Sequence, residues 1–185
     1  MSTVQVGPSR EAMTLALLAH YESAGPSVES AGLSWYESAA ATCNDLAARY
    51  NLEPVQVTGI VAALSPQCQW QRNLALAEAV CEHGTTGGQT LPNVRKAEAI
   101  YDGAAPLDVL GGPKVRAFYR ALTGDHSAAV VDTWMLQAVG WHRSGASAAQ
   151  YARIAGALED AAATVGVDVA RLQAIVWVQV RGDAS

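Results

Sequence analysis

The sequence predicts an all-α fold of about nine or ten helices. Three observations carry this reading. Apolar residues recur at helical spacing in one segment after another, capping residues and prolines stand where those segments begin, and glycines stand where they end. Strand content is expected to be close to nil.

Taken in order, residues 9–22 repeat apolar positions at Ala12, Leu15, Ala16, Leu18 and Ala19, an amphipathic pattern. The stretch from Gly25-Pro26 to Gly32 breaks it. Ser34-Trp-Tyr-Glu37 has the form of a capping box, with serine at the N-cap and glutamate at N3, and predicts a second helix from there to about Tyr50. Pro54 suits the first turn of a third helix, nearly all apolar through Leu64 and stopped by Pro66. A helix apolar all round belongs in the centre of a domain.

A fourth helix is expected from about Trp70 to His83, followed by a loop over Gly84–Gln89. Pro92 opens a fifth, Val94 to Tyr101, closed at Gly103. A short helix (about 106–110), the Gly111-Gly112 turn and a helix of about 113–123 form a hairpin, with Gly124 as the stop. Asp132 begins a helix ending near Gly140. Ser147-Ala-Ala-Gln150 is a second capping box, opening a helix to about Val165. Asp168 caps the last helix, whose Val169, Leu172, Ile175, Val176 and Trp177 are expected to face the core.

A chain of 185 residues, half of them hydrophobic and 16% charged, builds a substantial core as one domain or as two small lobes sharing a cleft. No apolar run of about eighteen residues occurs, and no basic N-terminal region leads into an apolar core, so a soluble cytoplasmic protein is expected. Cys43, Cys68 and Cys81 are widely spaced and odd in number, which fits reduced thiols. The four histidines (His20, His83, His126, His142) have no zinc-finger spacing, so no metal and no cofactor is expected. Three cysteines cannot supply the four ligands of an iron–sulfur cluster.

The net charge of −5 argues against indiscriminate nucleic-acid binding. Its distribution is uneven. Residues 1–60 hold two Arg against six acids, whereas residues 91–120 hold Arg95, Lys96, Lys114, Arg116 and Arg120 against three acids. The basic excess surrounds the glycine turn, where backbone N–H groups can approach a phosphate because no Cβ intervenes. Lys114 ends that turn, and Asp132 follows eighteen residues later, after a short β-branched run. An amine and a carboxylate brought to one cleft can attack and stabilise a sugar C1′ cation, which breaking an N-glycosidic bond requires.

Over residues 54–140 the chain resembles the helix-hairpin-helix DNA glycosylase superfamily. Three pieces carry the resemblance in the family's order: Ala63-Leu-Ser-Pro-Gln67, Leu91-Pro-Asn-Val-Arg-Lys-Ala-Glu-Ala-Ile100, and Leu110-Gly-Gly-Pro-Lys114 followed by Val130-Val-Asp132-Thr133. It implies a helix-hairpin-helix core over 54–140, with 1–53 and 141–185 packing together as a second lobe. It also implies excision of a flipped, damaged or modified base from duplex DNA, with or without a lyase step. Asp132 would then stabilise the oxocarbenium ion, Lys114 would attack C1′, and Gln67 would reach into the space left by the base. Trp70, Arg72, Lys96, Gly111, Gly112, Arg116 and Arg120 would contact DNA.

Each residue also has a plainer reading. Asp132 is a plain N-cap, Lys114 a phosphate-contacting or solvated lysine, and Gln67 a cap after Pro66. Trp70 is core or rim, Arg72 caps local backbone, and Cys68 is inert. The chain also departs from the family pattern. The usual hairpin reads Leu-Pro-Gly-Val-Gly-x-Lys, so its first glycine falls on Leu110 here, and Trp134 stands where many relatives carry a smaller residue. These departures suit two alternatives. One is a relative similar to phage-encoded proteins that modify thymine in DNA. The other is a non-catalytic protein that binds DNA or a protein partner on a degenerate scaffold.

Overall fold

The computed structural model describes residues 7–141 and 145–182. Among them there are ten α-helices and no strand. The helices are α1 (Arg10–Glu22), α2 (Pro26–Tyr50), α3 (Pro54–Leu64), α4 (Trp70–His83) and α5 (Leu91–Tyr101), then α6 (Pro106–Val109), α7 (Pro113–Leu122), α8 (Thr133–Ala138), α9 (Ala148–Val165) and α10 (Val169–Arg181). They form two compact units, Tyr36–Asp125 and Met1–Trp35 with His126–Ala184.

The second helix corrects one expectation. It begins at Pro26, so the segment up to Gly32 is helical and Ser34 lies in its interior. Gly25 supplies the first carbonyl, accepting from Glu29 N–H at 3.0 Å, and Pro26 needs no partner for a missing N–H. The Ser34 hydroxyl donates back to the Ser30 carbonyl at 3.0 Å instead of capping. Gly32 is tolerated mid-helix because of what lies against it. A Cβ there would stand 2.6 Å from Ile175 Cα, so only glycine lets this backbone approach α10.

In the unit of α1, α8, α9 and α10, the helices enclose a core of Met13, Leu17, Met135, Leu136, Ile154, Leu158, Leu172 and Val176. Arg10 clamps Asp160 through two bonds of 2.6 and 2.7 Å, tying the first turn of α1 to α9. The Ser147–Gln150 capping box has both of its reciprocal bonds, and Asp168 caps α10 through the Arg171 N–H. Trp177 faces this core as expected and packs against it, while staying half-exposed. The segment 128–131 is buried and belongs to no helix or strand. Its backbone is satisfied by side chains: Val130 N–H donates to Gln173 Oε1 at 2.7 Å, and the Tyr151 hydroxyl donates to Ala129 O and accepts from Val131 N–H.

In the unit Tyr36–Asp125, α3 is the central helix, buried at every position from Val57 to Leu64, as its all-round apolar sequence requires. Helices α4, α5, α6 and α7 surround it. A Cβ on Gly59 would meet the Pro106 ring at 2.7 Å, so glycine admits α6. Gln56 closes the C-terminal end of α5, donating to the Ile100 and Tyr101 carbonyls at 2.9 and 2.7 Å.

Candidate functional site

The hairpin of α6 and α7 is built around one buried anchor and one left-handed glycine. Leu110 is only 2% exposed and has ordinary extended backbone angles, φ −66° and ψ 124°. A leucine therefore stands without strain where the resembled motif has its first glycine. Gly112 has φ 76° and ψ 145°, a conformation closed to side-chain-bearing residues, and Pro113 starts α7 behind it.

The five cations expected to meet DNA or its phosphates fall into two groups. Three are committed to the protein itself. Arg116 Nη1 donates to the carbonyls of Leu107 at 2.6 Å and Leu110 at 3.1 Å, bracing the turn from inside. Arg120 is paired with Asp125 at 2.8 and 2.5 Å. Arg72 donates to the Gly88 carbonyl at 2.7 Å, which is its expected plain role of holding local backbone. Lys96 and Lys114 form the second group. Lys96 Nζ lies 3.5 Å from where a Cβ on Gly111 would sit, so its ammonium overhangs the exposed turn. Lys114, half-buried in the first turn of α7, has no hydrogen bond or ion pair among the described residues.

Gln67 occupies the turn after α3 with φ 54°, its side chain exposed. Trp70 begins α4 and is half-buried. Burial pushes the Cys68 thiol above its ordinary pKa, against a smaller opposing pull from Arg72, which fits an inert cysteine. All the residues expected to contact DNA lie in this one unit.

Asp132 lies in the other unit, so neither unit holds both Asp132 and Lys114. It caps α8: Oδ1 accepts from Met135 N–H at 2.9 Å, and Oδ2 accepts from the indole N–H of Trp177 at 3.1 Å. Trp177 is itself flanked by Trp35, with ring centroids 5.7 Å apart, and by the Arg181 guanidinium, 4.6 Å from its ring centre. The Tyr151 phenol has its pKa raised, first by burial and further by the Asp132 charge, against the Val131 hydrogen bond. Trp134, half-buried, follows Asp132 by two residues in α8.

Sequence reasoning missed Trp177, Tyr151 and Gln173 as supports of the segment around Asp132, and Gln89 as a support of the Gln67 turn. Periodicity marks the first three as apolar-face or neutral helix positions and marks Gln89 as loop. Nothing local in the sequence signals these pairings.

No group of His, Cys, Asp or Glu suited to a metal ion occurs among the described residues, and no single helix there is long and apolar enough to cross a membrane. No curated protein and no solved structure matches the chain. A family model matches residues 1–184, and the chain belongs to that family, DUF7178, a family of unknown function.

Proposed function

We propose that this chain is a helix-hairpin-helix DNA glycosylase-like protein that holds the backbone of duplex DNA at the Gly111-Gly112 turn. The observation that carries the reading is the pairing of that exposed turn with two lysines: Lys96 overhanging Gly111, and Lys114 with no partner among the described residues. Pro113 at the helical start leaves the N–H groups of Lys114 and Val115 without a partner inside the helix. A phosphodiester oxygen fits this combination of backbone donors, a helix N-terminus and two cations.

The excision chemistry rests on the resemblance. By that resemblance Asp132 would stabilise the positive charge developing at C1′ of a flipped nucleotide while water attacks that carbon, or the Lys114 amine would attack it in place of its phosphate contact. Among the described residues two donors hold the Asp132 carboxylate, one on each oxygen. Release of base from duplexes carrying a panel of damaged and modified bases tests this directly. Wild-type activity that disappears in Asp132→Asn supports excision.

One observation favours a second reading, a non-catalytic DNA binder. Arg72, Arg116 and Arg120 are engaged in internal contacts, which leaves a lean, local cationic surface on a chain of net charge −5. Salt-sensitive DNA affinity unchanged by Asp132→Asn, with no base released, identifies that case. Attachment of a group to thymine, the third reading, is separated from both by mass analysis of nucleosides from treated DNA.

A further inference from the structure

Two loops of the unit Tyr36–Asp125 are joined through one side chain. Gln89, between α4 and α5, donates from Nε2 to the Leu64 carbonyl at 2.9 Å and to the Pro66 carbonyl at 3.0 Å. Its Oε1 accepts from the Thr90 N–H at 2.8 Å, which fixes which way the amide faces. Both N–H donors of the amide are thus used on the turn that follows α3. Arg72 holds the same loop one residue earlier, at the Gly88 carbonyl.

The turn held this way ends in a strained residue. Gln67 sits at φ 54°, where a side chain with a Cβ is disfavoured, and it is exposed, so no core packing offsets the strain. Such a conformation persists only where the surroundings over-determine it. Here the carbonyl immediately before Gln67 is one of the two that Gln89 grips. The Ser65 carbonyl, between the gripped pair, accepts from Cys68 N–H at 3.2 Å and closes the turn on its other side.

We infer that Gln89 is a positioning residue that holds Gln67 in its left-handed conformation, so that the Gln67 amide is presented outward to fill the gap left by a displaced base. The inference rests on the DNA reading given above and adds to it the device that aims the probe. A side chain already aimed loses less conformational freedom on insertion. Its amide offers both a donor and an acceptor to the base left without a partner.

The test compares two duplexes of one sequence, one fully paired and one carrying a tetrahydrofuran abasic analogue, against wild type, Gln89→Ala, Gln89→Glu, Gln67→Ala and the double variant Gln67→Ala/Gln89→Ala. Wild type is expected to prefer the abasic duplex. Gln89→Ala is expected to cut that preference about fivefold while affinity for the paired duplex holds, and the double variant is expected to be no worse than Gln67→Ala. Gln89→Glu keeps the size and the Thr90 bond but has no N–H for the two carbonyls, so it gives the same loss even where Gln89→Ala folds poorly. The backbone chemical shifts of Gln67 lose their positive-φ signature in both variants, a readout independent of DNA.

Wild-type preference retained in both Gln89 variants overturns the positioning role alone. So does an equal loss on both duplexes that tracks a fall in Tm. A wild-type chain that binds neither duplex overturns the DNA reading, and this inference with it.

Discussion

The indole N–H of Trp177 donates to Oδ2 of Asp132 across 45 residues of chain, at 3.1 Å. The carboxylate is therefore held from two directions, by its own helix through Met135 and by α10 through Trp177. A plain N-cap needs only the first of these bonds. The second restricts rotation of the carboxylate and gives it a defined face.

Trp177→Phe keeps most of the ring and removes the donor. Stability is expected to fall by about 1 kcal/mol, the usual net worth of a hydrogen bond to a half-exposed charged group, with a further small loss from the Arg181 contact. Urea unfolding followed by circular dichroism measures it. Asp132→Asn is expected to cost a similar amount, because asparagine also caps helices well. If Asp132 is the group that stabilises C1′, Asp132→Asn abolishes base release, whereas Trp177→Phe lowers kcat and leaves KM nearly unchanged.

The two hairpin glycines are expected to respond differently to alanine. Gly112→Ala forces a Cβ onto φ 76° and ψ 145°, a region that costs on the order of 1–3 kcal/mol for a residue with a side chain. Gly111→Ala meets only the end of the flexible Lys96 side chain, at an ordinary contact distance of 3.5 Å, and has no positive φ to strain. Its stability is expected to stay within about 0.5 kcal/mol of wild type. Equal losses at both positions in urea unfolding would contradict the asymmetry of the turn.

Most helix boundaries are legible in the sequence because each is written locally. Pro54, Ser147, Asp168 and Gly84 act within a turn of their own positions. The start of α2 is not legible, because Ser34 and Glu37 imitate a cap, while the reason for Gly32 lies on α10, more than a hundred residues away. The same distinction governs the candidate site. The Gly111-Gly112 turn and the capping by Asp132 can be read from neighbours, and both are present. The roles of Arg116, Arg120 and Arg72 cannot, since a cation on an exposed helix face looks alike whether it faces a phosphate or a carbonyl of its own chain. The support of Asp132 by Trp177 and of the Gln67 turn by Gln89 depends on packing between elements distant in sequence, and no spacing rule encodes it.

Cys43 and Cys81 are buried, and burial pushes both thiols up to about 11, with a smaller like-charge contribution of Cys43 to Cys81. The folded state thus retains their protons more firmly than the unfolded state, whose thiols titrate near 9.0. The resulting stability is fully present below about pH 9 and is lost as pH rises from there through 11. Urea midpoints are expected to fall over that window, and to fall less when Cys43 is replaced by Ala. At pH 8 a thiol reagent is expected to modify half-exposed Cys68 first and the other two only after unfolding.

Salt dependence of DNA affinity separates cations that face a phosphate from cations engaged within the protein. Removing one phosphate-neutralising cation lowers the slope of log affinity against log salt by about 0.9. Lys96→Ala and Lys114→Ala are therefore each expected to reduce the slope by about that amount and to weaken binding alike across sequences. Arg120→Ala removes a charge already paired with Asp125, so its slope is expected to match wild type. Arg116→Ala is the sharper control. It frees the carbonyls of Leu107 and Leu110, loosens the turn, and is expected to lower Tm and affinity together, and the slope falls only as far as the loosened turn forfeits its phosphate. Fluorescence anisotropy of a labelled duplex, titrated between about 50 and 200 mM salt, gives all four slopes. A full unit of slope lost in Arg120→Ala, with none lost in Lys96→Ala or Lys114→Ala, would move the DNA-facing surface to the far end of α7 and away from the glycine turn.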